Sequence, residues 1–286
     1  MTVLETIQRS TDFLAKKGVD SPRLQVELLL AYVLKLPRLR LYLNFDRKVA
    51  DTDLETVRDL VKRRGNREPL QHLVGSSSFC GLEIAVNRHV LIPRPETELL
   101  AERAWTFLAN IKQHPPTALD FGTGSGCLAI ALAAKCASAC VHAVDISPEA
   151  LEVARQNAER NNVAGRIHFH SGDGFGPLAR GLKFDLIVAN PPYIPTGEIA
   201  GLQPEVRDHD PHLALDGGKD GLGFYRRLAE EAPAFLQPQG KLMLEFGDGQ
   251  AAAIKGILGR AGWLVESVNN DYNNRQRILV ARCGHP

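Results

Sequence analysis

The chain has 286 residues, enough for one large domain or two smaller ones, and 44% of them are hydrophobic, which is ordinary for a globular protein. It carries 34 basic and 33 acidic residues, giving a net charge of +1. That balance argues against a broad basic groove for nucleic acid. No stretch of about 20 apolar residues occurs, so no helix is expected to cross a membrane.

The five cysteines, Cys80, Cys127, Cys136, Cys140 and Cys283, are odd in number and lack the spacing of a disulfide framework. Cys136 and Cys140 have no Cys-x-x-Cys partner or paired histidines beside them, so we expect no metal. Small buried thiols of this kind are typical of a reducing compartment. The chain starts without the basic and apolar regions of a secretion signal, and the expected location is the cytoplasm.

Residues 1–75 are predicted to form a helical domain. Ser21 and Pro22 provide the cap and first residue of one helix. Thr52 to Glu55 has the spacing of a capping box before another helix. Residues 76–95 are expected to connect this domain to the next one through a β-hairpin with Gly81 in its turn.

Residues 96–286 are predicted to form an α/β domain. After a helix from Glu96 to Ile111, strand and helix patterns alternate, which indicates a mostly parallel sheet with helices on both faces. The expected helices include Pro148–Asn161 and Leu222–Phe235. Strands are expected near residues 117–121, 140–144, 166–170, 184–189, 241–246, 263–268 and 276–281.

A glycine-rich turn follows the first of these strands. It consists of Gly122, Thr123, Gly124, Ser125 and Gly126, and an apolar helix pattern begins at Cys127. A strand, a glycine turn and a helix form a nucleotide cradle, because glycine tolerates positive φ and lets a ligand approach the backbone. No Lys-Ser or Lys-Thr pair follows, which argues against a triphosphate-binding loop.

Asp145 ends the second strand, at close to the roughly 20-residue spacing from the glycine turn expected of an acid that accepts both ribose hydroxyls. It also precedes Ser147 and Pro148, a helix-starting pair, and both roles are compatible. A third loop, residues 171–175 with Gly174 near its centre, either frames an adenine ring or is an ordinary glycine turn.

The sequence Asn190-Pro191-Pro192-Tyr193 follows the apolar run 186–189. The Asn190 carboxamide both donates and accepts hydrogen bonds. The two prolines have no backbone N–H, so this turn offers carbonyl acceptors without donors. The aromatic face of Tyr193 can stack on a flat group. These residues together suit a planar NH2 group whose nitrogen faces an electrophile. Taken alone, the tract also fits a proline-rich turn.

Ligands of open α/β sheets bind beyond the carboxyl ends of the strands. The glycine turn, Asp145, the loop 171–175 and Asn190 are therefore all expected at one crevice.

Other charged residues leave alternatives open. Glu245 ends a strand and either lines the crevice or caps the sheet, while Glu205 and His209 belong either to a lid or to a surface loop. Arg94 and Glu96 either shape the pocket or link the two domains through a salt bridge.

These motifs resemble the class I S-adenosylmethionine-dependent methyltransferases, and Asn190–Tyr193 resembles the subset that methylates conjugated nitrogens. Residues 91–98, Leu-Ile-Pro-Arg-Pro-Glu-Thr-Glu, narrow the resemblance, as do residues 210–218 and 220–222. With the helical N-terminal segment, most of the chain is similar to the peptide chain release factor glutamine methyltransferase (HemK/PrmC) family. Asp210 stands where many members of that family carry Glu.

The resemblance implies a Rossmann-like sheet of seven strands with the last strand inserted antiparallel, and residues 1–75 as a substrate-recognition domain. It implies methylation, from S-adenosylmethionine, of the glutamine amide nitrogen in the Gly-Gly-Gln loop of bacterial class 1 release factors. No stable nucleic-acid binding, membrane attachment or metal is expected. The expected catalytic residues are Asn190, Pro191, Pro192 and Tyr193, and the expected cofactor-binding residues are Gly122, Thr123, Gly124, Ser125, Gly126, Asp145, Gly174 and Asn190.

Three alternatives stay open on the sequence. The first is a glutamine methyltransferase acting on a ribosomal protein. The second is an adenine or cytosine amino methyltransferase, since the same four residues suit the amino group of an extruded base. The third is a binding module that keeps the fold without catalysis.

Overall fold

The computed structural model describes residues 1–284, which form two compact units. Residues 1–76 and 203–209 form the first unit, and residues 77–202 with the chain from Asp210 onward form the second. The helices are α1 (Val3–Lys16), α2 (Pro22–Leu34), α3 (Arg38–Tyr42), α4 (Asp51–Gly65), α5 (Leu70–Val74), α6 (Pro95–Ala109), α7 (Cys127–Lys135), α8 (Pro148–Arg160), α9 (Pro204–Arg207), α10 (Gly223–Glu231) and α11 (Ala251–Arg260). The strands are β1 (Ser76–Phe79), β2 (Leu82–Ala85), β3 (Thr117–Phe121), β4 (Cys140–Asp145), β5 (Ile167–Ser171), β6 (Phe184–Ala189), β7 (Leu236–Glu245), β8 (Trp263–Asn270) and β9 (Gln276–Cys283).

The helix starts of the first unit differ in detail from the sequence patterns. Thr52 does not cap α4, which begins one residue earlier, so the predicted capping box is wrong. A complete box instead starts α1, where the Thr2 side chain accepts from the Glu5 N–H and the Glu5 carboxylate accepts from the Thr2 N–H. Ser21 precedes α2 as expected but adopts positive φ and makes no capping side-chain bond.

The segment 203–209 contributes a part-buried ion-pair cluster to the first unit. Glu205, on α9, accepts hydrogen bonds from Arg64 Nη2 at 2.8 Å and Arg67 Nη2 at 2.7 Å. Arg64 is only 4% exposed, and its Nε also donates to Gln25. Glu205 is therefore fixed by two guanidinium groups of the helical unit, which neither a lid nor a free surface loop would require.

The predicted hairpin is confirmed as β1 and β2, which form a two-stranded sheet. Its two turn residues, Cys80 and Gly81, both have positive φ, at 52° and 78°. This is the backbone of a tight two-residue hairpin turn, in which glycine costs least. The Cys80 N–H also donates to Glu98 on α6, so the turn is anchored to the first helix of the α/β unit.

The sheet of the second unit has the strand order β5-β4-β3-β6-β7-β9-β8. Strands β3 to β7 are parallel, while β9 lies between β7 and β8 and is antiparallel to both. The predicted seven strands and the antiparallel insertion of the last one are thus confirmed. Strand β7 starts earlier than expected, at Leu236, with an irregular register opposite β6.

Apolar layers cover both faces of this sheet. Side chains of α6, α7 and α8 pack with one set of alternating strand residues, including Ala118, Val141 and Leu186. Side chains of α10 and α11 pack with the other set, including Leu119 and Ile187. Strand β6 is buried along its whole length, as expected of a central parallel strand. Across residues 1–284, every helix is too short or too polar to cross a membrane.

Asn157 of α8 links the hairpin to the glycine turn. This fully buried side chain accepts from the Ala85 N–H and donates to the carbonyls of Ala85 and Ser125. All of its hydrogen-bonding capacity but one lone pair serves the backbone, so it holds two loops at fixed positions.

Replacing Asn157 with Ala is expected to leave buried backbone groups of Ala85 and Ser125 without partners. Each such group costs about 1–3 kcal/mol, so the free energy of unfolding should fall by at least that amount. Urea unfolding measures it, with Gln156→Ala, at the neighbouring exposed position of the same helix, as the control. A fall no larger than that of the control would contradict the assigned role.

Candidate active site

The carboxyl ends of β3, β4, β5 and β6 surround a cavity of about 290 Å³ within the second unit. Parallel strands place these ends at one edge of the sheet, which is where such folds bind ligands. Six predicted site residues line the cavity: Gly122, Gly124, Asp145, Gly174, Asn190 and Pro192. The other predicted residues, Thr123, Ser125, Gly126, Pro191 and Tyr193, lie outside this lining.

The glycine turn has the backbone that its composition predicts. Gly122, Gly124 and Gly126 all have positive φ, at 75°, 54° and 81°. A Cβ added at Gly122 or Gly124 would meet no protein atom within 4 Å, so their missing side chains leave the cavity open to a ligand. At Gly126 a Cβ would lie 3.0 Å from that of Ala154, so this glycine serves helix packing.

Thr123 stabilises the turn from below. Its hydroxyl donates to Asp120 Oδ2 at 2.6 Å, and the same oxygen accepts from the Ala129 N–H at 3.1 Å. Asp120 is buried, and that burial raises the pKa of its carboxyl to about 7. Thr123 and Asp120 therefore fix the shape of the turn.

Asp145 occupies the end of β4 and faces the cavity. Its Oδ2 accepts from the Gly124 N–H at 2.8 Å and its Oδ1 from the Ser147 N–H at 2.9 Å. The pKa of Asp145 is raised, because burial outweighs the backbone donors, which lower it. Because a carboxylate oxygen can accept two hydrogen bonds, the side chain fixes the start of α8 and keeps acceptor capacity toward the cavity.

Sequence reasoning missed the apolar wall of the cavity. Val90 and Leu91 from the connector, Ile146 after β4, and Leu213 and Phe224 from the chain beyond Asn190 all line it. Their pattern is not periodic, so no local signal marks them. Gly172, Asp173 and Gly174 complete the wall after β5, where Arg227 pairs with Asp173. A flat apolar ring and a polar sugar would therefore find complementary surfaces.

Asn190 is the predicted residue whose geometry is most informative. Its Nδ2 donates to Thr97 Oγ1 at 3.0 Å, and Thr97 Oγ1 donates to Glu245 Oε2 at 2.7 Å. Because the Thr97 hydroxyl has one proton and gives it to Glu245, it accepts from the amide end of Asn190. The Oδ1 of Asn190 is left for a ligand in the cavity that this residue lines.

Thr97 is a residue beside Asn190 that the sequence patterns did not assign, whereas Glu245 was expected either to line the crevice or to cap the sheet and contacts Asn190 through Thr97. Thr97 belongs to the tract 91–98 and lies in the first turn of α6, whereas Glu245 ends β7 as a charged residue after a buried apolar run. Glu245 is 1% exposed, and burial raises its pKa to about 7 although Thr97 and Arg277 favour the charged form. A charged residue at the end of an apolar strand is the signal by which the sequence marks Glu245.

The partly buried Tyr193 side chain packs against one of the two apolar layers of the sheet. It contacts the side of the sheet covered by α10 and α11, and its carbonyl accepts from Gln250 Nε2 at 2.9 Å. Burial raises the pKa of its phenol to about 12, so the ring stays neutral. The ring therefore supports the turn 190–193 from the apolar side.

Arg94 pairs with Asp210 in the second unit. Arg94 Nη2 lies 2.6 Å from Asp210 Oδ2, and Asp210 is 7% exposed. Pro211, the next residue, lines the cavity. Of the two roles open for Arg94, the structure favours shaping the pocket, because its partner belongs to the same unit.

Glu245 gives a prediction for stability against pH. Its folded pKa, about 7, exceeds the ordinary value of 4.5, so its favourable contribution is complete below about pH 4.5 and is lost as pH rises through about 7. In Glu245→Gln this loss, up to roughly 3 kcal/mol, should vanish. Urea unfolding at about pH 5 and about pH 8 measures it in both proteins. Asp120 titrates equally in both, so parallel pH dependences would contradict the prediction.

Comparisons with known proteins agree with this geometry. Residues 5–75 match the family model described as PrmC N-terminal domain, and residues 102–201 match Methyltransferase small domain. Release factor glutamine methyltransferase of Geobacter sulfurreducens is 44% identical over 99% of this chain and 97% of its own length. That of Chlorobaculum tepidum is 42% identical over 97% and 96%.

Among solved structures, a methyltransferase from Pyrococcus furiosus shares the fold, with a TM-score of 0.51 and 25% identity over 71% of this chain and 90% of that one. The sheet order and the two curated relatives both indicate a methyltransferase. This chain is a methyltransferase and belongs to the release factor glutamine methyltransferase family.

Proposed function

We propose that this protein methylates the side-chain amide nitrogen of the glutamine in the Gly-Gly-Gln loop of bacterial class 1 release factors, with S-adenosylmethionine as methyl donor. The orientation of Asn190 carries the proposal, because its Nδ2 is committed to Thr97 and its Oδ1 remains for an NH2 group. The curated relatives, named for release factor glutamine methylation, support the choice of substrate. The reaction would take place in the cytoplasm, where translation ends.

The cavity residues fit the proposed donor. The open space beside Gly122 and Gly124 suits a close approach of the amino-acid part, and Asp145 offers acceptors to the ribose hydroxyls. Gly174 and the apolar wall suit the adenine ring. Thr123, Ser125 and Gly126 would act through the shape of the turn. When bound, S-adenosylmethionine would supply an electrophilic methyl group on a sulfonium.

A glutamine amide nitrogen is a weak nucleophile, because its lone pair is delocalised into the carbonyl. We infer that the chain orients this nitrogen without first removing a proton. Asn190 Oδ1 and the Pro191 carbonyl would accept its two N–H bonds and direct the nitrogen toward the methyl group. Positioning of this kind is worth several kcal/mol of the barrier, and oriented dipoles would stabilise charge that develops on nitrogen.

Pro192 and Tyr193 would keep the turn in that shape. Pro192 lines the cavity. Tyr193 is only partly buried against the apolar layer, and we propose that the accessible part of its ring packs on the plane of the substrate amide. The proton would leave after methyl transfer, when the amide has become more acidic, and water is a sufficient acceptor. No residue of the site then has to act as a strong base.

The first unit is the proposed recognition domain. The match of residues 5–75 to the PrmC N-terminal domain supports a role specific to this family. In this proposal residues 1–75 recognise the release factor, residues 76–95 form the connector, and residues 96–286 carry out the transfer. No stable complex with nucleic acid or a membrane is part of the proposal.

Methyl transfer from labelled S-adenosylmethionine tests the function. The acceptors are a purified release factor, the same factor with its loop Gln changed to Ala, a ribosomal protein mixture and duplex or single-stranded DNA. Label is expected on the intact factor only. Label on the ribosomal protein or on DNA would overturn the substrate, and label on the Ala form would overturn the target atom.

Substitution of Asn190 tests the mechanism. Asn190→Ala removes the acceptor that orients the amide, so kcat is expected to fall about 100-fold or more, as when one oriented polar group is removed from other active sites. Cofactor affinity, measured by calorimetry, should change little. Asn273→Ala, at an exposed turn, is the control. Turnover of Asn190→Ala equal to that of the control would contradict the mechanism.

A further inference from the structure

A second group of chemically reactive side chains lies away from the cavity, on β4 and β5. Cys140 and His142 are two residues apart on β4, and His168 and His170 are two residues apart on β5. The parallel register pairs His142 with His168 and Val144 with His170. Residues two apart point to the same face of a strand, so these four side chains share one face of the sheet.

Their ligand atoms are close together. One ligand atom each from Cys140, His142 and His168 lie within 4.8 Å of one another. The imidazole of His142 is 4.9 Å from that of His168 and is stacked on that of His170 at 5.0 Å, measured between ring centroids. His142 Nδ1 and His170 Nε2 are 2.9 Å apart and share a hydrogen bond.

We propose that Cys140, His142 and His168 form a binding site for a zinc-class divalent cation, with His170 as the residue that orients His142. A thiolate and two imidazoles are ligands that zinc takes in proteins. The hydrogen bond to His170 leaves Nε2 of His142 for the metal. A ligand histidine whose other ring nitrogen is hydrogen-bonded is the usual arrangement at such centres.

The size of the group fits this ion. Zinc bonds of 2.0–2.3 Å place neighbouring tetrahedral ligand atoms roughly 3.4 Å apart. Side chains whose ligand atoms lie within 4.8 Å reach that spacing by small rotations. Cys140 and His142 are half-buried and His168 is exposed, so the ion has a path from solvent, and water would complete the coordination. Binding displaces the thiol proton of Cys140, which passes to solvent.

The expected absence of a metal at Cys140 was based only on the residues next to it in the sequence. The site depends on pairing between β4 and β5, which brings His168 beside His142. An ion here would cross-link β5, an edge strand, to β4, whose other end carries Asp145. The site is separate from the methyl-transfer residues, so the proposal does not depend on the proposed substrate.

Titration of the metal-free protein with Co2+ tests the site, because thiolate-bound cobalt has an intense charge-transfer absorption. The full-length protein is expected to bind one Co2+ with this absorption and to release it to Zn2+. Cys140→Ser should lose the absorption, and His168→Ala should lose saturable binding. His170→Ala, which removes the orienting partner, should weaken binding by about 10- to 100-fold.

Cys283→Ser and His114→Ala are matched controls, since both residues lie outside the group, and both should bind Co2+ as the unmodified protein does. Thermal unfolding without metal identifies any variant that fails to fold, and Zn2+ should raise the melting temperature of the unmodified protein but not of Cys140→Ser. Absence of saturable Co2+ binding in the unmodified protein would overturn the proposal. So would binding that survives unchanged in both Cys140→Ser and His168→Ala.

Discussion

The hydrogen bonds that join Asn190 to Thr97 and Thr97 to Glu245 are the constraint on which the proposed active site depends. A carboxamide has two ends of similar shape and opposite hydrogen-bonding character, and only the oxygen end accepts bonds from an NH2 group. Thr97 donates its one hydroxyl proton to Glu245 and therefore accepts from the NH2 group of Asn190. The Asn190 oxygen then remains for the cavity. Without these two hydrogen bonds, either end of the Asn190 carboxamide could face the cavity.

The sheet brings these hydrogen-bonded residues and the residues proposed to bind S-adenosylmethionine to one edge. Because β3, β4, β5 and β6 are parallel, the loops that follow them meet, and each contributes a short polar segment. The segments are cross-linked as well: Asp145 accepts from Gly124, and Asn157 joins the glycine turn to the hairpin. The crevice is therefore held by backbone hydrogen bonds to buried side chains, which is the condition for a preorganised site.

The fold was largely predictable, because alternation of apolar runs and turns is a local property of the chain. The positions of the glycine turn, Asp145 and Asn190 were recognisable for the same reason, since each ends or directly follows a strand. Pairings across long stretches of chain were not predictable. Nothing near Thr97 indicates Glu245, nothing near Arg64 indicates Glu205, and nothing near Cys140 indicates His168. The capping box at Thr52 failed because Asp51 already starts the helix, a choice that local spacing does not decide.

The most direct test of this account compares Thr97→Val with Thr97→Ser. Valine keeps the shape of threonine without its hydroxyl, and serine restores the hydroxyl, so packing and hydrogen bonding are separated. The account predicts that Thr97→Val lowers kcat for methyl transfer by about 10-fold or more with little change in cofactor affinity, and that Thr97→Ser recovers most of the rate. Equal turnover in the two variants would contradict the claim that Thr97 orients Asn190.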